Sequence, residues 1–176
     1  RTEFDMPGVW EVEASVKRET YAPVSSRTTF NVQARSFIPK IGDAAPPSMN
    51  WTLADRPIHQ LTSQRPTGDL EFYESTIALA LSKDKPLVIV FSTPAFCQTQ
   101  TCGPQLEIAQ NLKTSYGETV TFIHVDVFDR PDLLLEGETA PKVNPIITEW
   151  NLQTEPWVFI VDRAGKIHDR FEGFSS

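Results

Sequence analysis

The sequence predicts an α/β domain built on a mixed β-sheet covered by helices, preceded by a short all-β segment. Two apolar runs, "LVIVFS" from Leu87 and "VTFIHVDVF" from Val120, lack polar alternation, as strands do when both faces of a sheet are covered. Between them "GPQLEIAQNLKTSYG" places Leu106, Ala109, Leu112 and Tyr116 at helical spacing, with Gly117 as its end, so a right-handed crossover makes the two strands parallel. Two later runs, "WVFIVD" and "KIHDRFEG", are joined by "DRAG", a turn signal that makes them an antiparallel hairpin.

The remaining elements follow in order. "GVWEVEASVK" alternates Trp10, Val12, Ala14 and Val16 with Glu11, Glu13, Ser15 and Lys17, and "TTFNVQAR" repeats the pattern with Phe30, Val32 and Ala34. Each reads as a half-buried strand, and together they suggest an antiparallel pair. Two strands are marginal alone, so residues 1–36 are expected to be the C-terminal part of a β-sandwich. An accessory layer on the following domain is the alternative.

Residues 37–68 carry Pro39, Pro46, Pro47, Pro57 and Pro66 with scattered apolar anchors such as Trp51 and Leu53. They read as a linker that wraps the next domain, 69–176, whose lead-in starts near residue 40. "DLEFYESTIALALSKDKP" spaces Leu70, Tyr73, Ile77 and Leu81 as one helix closed by Pro86, and a short helix is expected around Ile146 to Trp150.

Composition limits function. Of 176 residues, 40% are hydrophobic and 22% charged, with 23 acidic side chains against 16 basic ones and a formal net charge of -7. The balance is that of a folded globular protein, and its field repels a phosphate backbone, which argues against a nucleic-acid partner. The apolar run Leu87–Phe91 is far short of the roughly 20 residues of a spanning helix. The chain opens at Arg1, as a processed or excised product would, which leaves export open.

The two cysteines, Cys97 and Cys102, stand in "AFCQTQTCGPQ", between a strand and a helix. The N-H groups at a helix start favour a thiolate. Cys102 sits there and is expected to be reactive, with Gly103 beside it and Pro104 in the first turn, where a missing N-H costs nothing. On one continuous helix Cys97 would point away from Cys102, so it belongs to the preceding loop, where "QTQT" can fold back. A bridge would close a small ring with a modest entropic gain, which favours redox traffic over stapling.

"KPLVIVFSTPAFCQTQTCGPQLEIAQNL" together with "NLQTEPWVFIVDRAGKIHDRFEG" resembles the thioredoxin-fold family. "IPKIGDAAPPSMNWTL" is similar to the lead-in of its exported, membrane-tethered thiol oxidoreductases and peroxiredoxin relatives. The resemblance covers about residues 40–174. It implies a thiol-disulfide oxidoreductase working through Cys97 and Cys102 on protein or small-molecule thiols, without a cofactor or metal. It places the family's cis proline on Pro156, with Glu155, Trp157 and Phe96 expected around a substrate. It also implies an extracytoplasmic location, with a possible membrane tether outside this chain; a cytoplasmic redox protein is the alternative.

The sequence departs from the family's pattern. Four residues separate the cysteines instead of two, Gln105 stands where a partner of Cys102 would be, and Phe96 replaces the tryptophan before the first cysteine. Val90 takes the place of the family's buried acid, which leaves proton transfer unassigned, and the family's final helix would follow Ser176. These departures keep open a non-catalytic interaction or sensing module with a structural Cys97–Cys102 bridge. A third reading makes the cysteines copper ligands with one distant histidine, but His124 and His168 read as strand residues and His59 lies in the linker. Asp126, Asp129 and Asp132 are expected in a solvated turn, because the loop lacks the glycine and terminal glutamate of a calcium loop.

Overall fold

The computed structural model describes all residues except 1–3, 5, 18–22, 35, 98–100 and 175–176. The chain divides into two compact units, 1–37 and 38–176. The first holds β1 (Gly8–Val16) and β2 (Val24–Val32), antiparallel, with Gly8 opposite Val32 and Val16 opposite Val24. Trp10 pairs across the hairpin with Phe30, and the Phe4 ring meets both edge-on. β2 starts earlier than its own alternation indicates, because "VSSR" is held by pairing with β1 rather than by apolar side chains. Val12 and Val16, expected to be half-buried, are exposed. Most of the connection between the strands lies outside the described residues.

The second unit is a four-stranded sheet in the order β4-β3-β5-β6. β3 (Leu87–Phe91) runs parallel to β4 (Thr121–Val125) and antiparallel to β5 (Trp157–Val161), which pairs antiparallel with β6 (Ile167–Glu172). Helix α2 (Cys102–Tyr116) makes the crossover from β3 to β4. Because side chains alternate along a strand, Ile89, Phe91, Ile123 and Phe159 enter one core with Ile77, Ile147 and Trp150. Val90, Phe122 and Val158 enter another with Leu106, Ala109, Phe72 and Tyr73. This double coverage accounts for the unalternated apolar runs.

One long helix was expected between Asp69 and Pro86, and the structure breaks it in two. A 3-10 turn at Leu70–Tyr73 is followed by α1 (Ile77–Leu81), whose first N-H groups are served by Thr76, the Oγ1 of which accepts from Leu79 N at 3.0 Å. The reason is the sheet. Tyr73 and Ile77 belong to different cores, and one helix would have put both on the same side.

Leu112 and Tyr116, expected inward on α2, are 46% and 54% exposed. A helix of 15 residues is about 22 Å long, whereas strands of five residues span only about 16 Å, so its last turns overhang the sheet. Lys113 ties that end to Asp69 and Glu71 at 2.6 and 2.7 Å.

The proline-rich segment packs into the same unit. Ile167 N donates to Asp43 O at 2.9 Å and Gly42 N to Ile167 O at 2.8 Å, an attachment to the β6 side. Buried Asn50 then accepts from Ile77 N at 2.7 Å and donates to Ser75 O at 3.3 Å. Trp51 remains 41% exposed, with the Arg56 guanidinium 3.9 Å from its ring centre.

Helices α3 (Pro131–Leu135) and α4 (Pro145–Glu149) fill the connection from β4 to β5. At the end of α4 the fully buried Trp150 lies between the rings of Phe91 (5.0 Å) and Phe159 (4.7 Å) and donates to Ser48 Oγ at 2.8 Å. Trp150→Ala is expected to destabilise the unit by about 3–5 kcal/mol, read from urea unfolding. Trp150→Phe, which keeps the ring and loses the Ser48 bond, is expected to cost less than half as much.

Candidate active site

Three strand ends meet at one edge of the sheet. β3 runs out at Phe91 into Ser92–Cys97, and parallel β4 ends beside it and delivers Asp126. Antiparallel β5 begins opposite, with Trp157 paired to Phe91, so Glu155 and Pro156 arrive next to Ser92 and Thr93. Crevices at the carboxyl ends of parallel strands are where open α/β sheets place their chemistry.

Cys97 and Cys102 form a disulfide with a Cα–Cα distance of 5.9 Å. Their exposures differ. Cys102, the first residue of α2, is fully buried, and Cys97 is half-buried. The reactive sulfur assigned to Cys102 by its helix position is therefore the less accessible of the two. Gln98–Gln100, the loop expected to fold back, lie outside the described residues. Gln105, where a partner cysteine was expected from the family, is buried.

Cys97 lines a cleft of about 410 Å³ with Phe96, Val127, Phe128, Ile147 and Leu152 on its apolar walls and Glu155 among its polar ones. Pro156 is buried behind it, and the Glu155–Pro156 peptide is cis. Trp157, expected beside a substrate, is turned into the core and stacks on Phe159. Of the helix-start residues, Pro104 is exposed and Gly103 half-buried. A methyl group on Gly103 would meet nothing nearer than Pro94 O at 3.9 Å, so space does not demand glycine there.

Two carboxyls accompany the sulfurs. A Glu155 carboxylate oxygen and the two sulfurs all lie within 4.8 Å of one another. Glu155 accepts from Thr93 N at 2.5 Å, and Thr93 Oγ1 donates to Asp126 Oδ1 at 3.1 Å, so one threonine links both acids. Asp126 is buried, not solvated as expected, and also accepts from Ser63 N and Ser63 Oγ at 2.9 Å and from Phe128 N at 3.2 Å. Burial pushes its pKa up to about 7, outweighing hydrogen bonds that favour the ionised form. Burial also raises Glu155, against the Thr93 bonds.

The other two aspartates of that triplet are likewise engaged. Asp129 accepts from Trp51 Nε1 and Arg56 at 2.8 and 3.1 Å, and buried Asp132 pairs with Arg130 at 2.7 Å.

Buried His124 sits behind the same loop. Its Nε2 lies 3.0 Å from Ser92 O and its Nδ1 2.8 Å from the Tyr73 hydroxyl, which suits the neutral ring with Nε2–H donating and Nδ1 accepting. Burial lowers its pKa to about 4. Among the described residues the group able to hold a metal ion together is Cys97, Cys102 and Glu155. It would need the disulfide opened, since thiolates are the ligands, and it contains no histidine. His59 and His168 are exposed.

The linkage of the Glu155 and Asp126 carboxyls through Thr93 beside the sulfurs was missed in the sequence. "HVDVF" carried the available signal, an acid directly after a buried strand that runs parallel to the cysteine strand.

Asp126 and His124 give opposite pH signatures. The raised Asp126 pKa means the folded state holds the proton more tightly, so its contribution falls as pH rises from about 4 to about 7. The lowered His124 pKa gives a contribution present above about 6.5 and lost as pH falls toward about 4. Asp126→Asn is expected to leave a protein that loses stability on acidification, and His124→Asn one that gains it. The divergence between pH 7 and pH 5 should be on the order of 2 kcal/mol each, read from urea midpoints. Identical pH profiles in the two variants would contradict these assignments.

No protein-family model and no curated protein matches the chain. Solved structures do. Mitochondrial thioredoxin 3 from Saccharomyces cerevisiae in its oxidized form is 20% identical, with 53% of this chain and 71% of that one covered and a TM-score of 0.37. StoA from Bacillus subtilis is 17% identical over 53% and 78%, TM-score 0.41. A thio-disulfide isomerase from Thermus thermophilus is 19% identical over 66% and 82%, TM-score 0.39. The chain's own strand order, its cysteine-bearing crossover helix after β3 and its proline loop beside that helix give residues 38–174 a thioredoxin-like fold.

Proposed function

We propose that the second unit is a thiol-disulfide oxidoreductase in which Cys97 is the sulfur exchanged with substrate and Cys102 the sulfur that leaves and returns. The observation that supports this is the asymmetry of the pair: Cys97 opens on a cleft, and Cys102 is sealed at the start of α2. In the oxidised protein a substrate thiolate attacks Cys97 Sγ. The Cys97–Cys102 bond breaks with its electron pair going to Cys102, and a second substrate thiol then displaces Cys97. The substrate dithiol becomes a disulfide and the cysteine pair is reduced; run backwards, the sequence reduces a substrate disulfide. The helix start lowers the cost of the Cys102 thiolate.

The substrates are thiols or disulfides of proteins or small molecules, and the apolar walls of the cleft suit a protein segment carrying an apolar side chain next to its cysteine. The lead-in at 40–53 supports an extracytoplasmic setting, and no helix among the described residues is long and apolar enough to cross a membrane. The hairpin of 8–32 fits the end of a β-sandwich that the same protein would carry ahead of this unit.

The second reading is a structural bridge, favoured by the burial of Cys102. The six-residue ring would contribute roughly 2 kcal/mol. A redox titration separates the two, since a structural disulfide has a midpoint below about −300 mV.

Cys102→Ser is expected to accumulate mixed disulfides through Cys97 and to be alkylated rapidly. Cys97→Ser, with only the sealed thiol, should be alkylated at least about tenfold more slowly. Thiol-trapping gels check both, and equal rates in the two variants would remove the assigned division of roles.

A further inference from the structure

We propose that the Glu155 carboxyl is the proton donor and acceptor of the cysteine pair, giving a proton to Cys102 as the disulfide opens and taking it back as it closes. The proposal rests on the oxidoreductase reading. Opening the disulfide puts charge on a sulfur with no exposed surface, and an ion out of water is costly unless it is paired or neutralised. The helix start offsets part of that cost; a proton offsets the rest.

Strand β3 supplies no acid, because Val90 is buried in an apolar core against α2. Asp126 is buried, and its carboxylate is occupied by Ser63, Thr93 and Phe128. Glu155 has a carboxylate oxygen within 4.8 Å of both sulfurs. It is half-buried and lines the cleft, so it can exchange protons with water on one side and with sulfur on the other.

The Thr93 bond defines its geometry. Thr93 N–H donates to Oε2, and that bond is available whether the carboxyl is charged or neutral, leaving the other oxygen to carry the proton. Asp126 acts as a positioning residue, holding Thr93 through its hydroxyl. Burial raises the Glu155 pKa, which keeps more of the acid form than an exposed glutamate would.

The step balances. Substrate thiolate bonds to Cys97 Sγ, the disulfide bond breaks toward Cys102 Sγ, and the Glu155 proton moves to that sulfur, leaving Glu155 ionised. Glu155 is reprotonated by the second substrate thiol as that sulfur displaces Cys97, and Cys97 takes its proton from water. Among the described residues, Cys97 and Cys102 face Glu155 from the cysteine loop and α2, Asp126 is joined to it through Thr93, and Glu172 of β6 accepts from its neighbour Thr154 Oγ1 at 2.6 Å.

The test uses the whole chain with dithiothreitol as probe. Reduction of the disulfide is followed by stopped flow across the pH range in wild type and Glu155→Gln. Glu155→Gln is expected to be roughly a hundredfold slower and to lose the limb of the pH profile that Glu155 contributes. In the unaltered protein, the carbon-13 shift of the Glu155 carboxyl should titrate over a different pH range after reduction, because it then shares the site with two thiols whose own ionisation is coupled to its charge.

A Glu155→Gln rate within about twofold of wild type with the same pH profile overturns the proposal, and so does a Glu155 titration identical in both redox forms. Wild type exchanging no faster than an unfolded peptide of the same cysteine spacing overturns the oxidoreductase reading itself, before any variant is compared.

Discussion

The pairing of β5 against the buried edge of β3 is the constraint on which the site depends. Phe91 faces Trp157 across that pair, so the last residues of one strand and the residues just before the other must share a place. The cysteine loop and the proline loop meet there although about sixty residues separate them in sequence. Hydrophobic burial supplies the force: both strands are apolar on both faces, and Phe91, Trp150 and Phe159 lock one side of the register. A one-residue slip of β5 would turn Phe159 to the opposite face, away from Phe91 and Trp150.

That geometry concentrates ionisable groups where water is scarce. Asp126 and Glu155 are each placed by backbone that the sheet fixes, and burial makes each less comfortable charged than it would be in solvent. Hydrogen bonds from Thr93 and Ser63 offset part of the cost. Thr93 is central to the arrangement, since its N–H and its hydroxyl serve different acids. Ser92, its neighbour, is held by His124 from behind, so the start of the cysteine loop is fixed before it reaches solvent.

Much of the fold was legible from short-range patterns. Unalternated runs at 87–91 and 121–125 marked covered strands, "DRAG" marked the hairpin, and the helix after Cys102 marked the crossover. Legibility failed where an element answers to something distant. The helix expected over 69–85 breaks because Tyr73 and Ile77 serve opposite faces, and Leu112 and Tyr116 lie on turns longer than the sheet they cover. Cys97 and Cys102 could be singled out as a pair, but which sulfur is sealed depends on the packing of α2. The Glu155–Thr93–Asp126 chain joins three strand ends, and no local spacing in the sequence records it.

The cleft beside Cys97 is walled mainly by residues that follow β4 and by those of α4 and its exit, Val127, Phe128, Ile147 and Leu152. The sulfurs and Thr93 come from a different stretch of chain. Under the proposed oxidoreductase reading, recognition and exchange would rest on separate pieces of sequence that adjoin at Phe96, Cys97 and Glu155. If that reading holds, the wall could change in shape or polarity without disturbing the ring of the disulfide, and an enzyme so built could take on new clients while its exchange step stays the same.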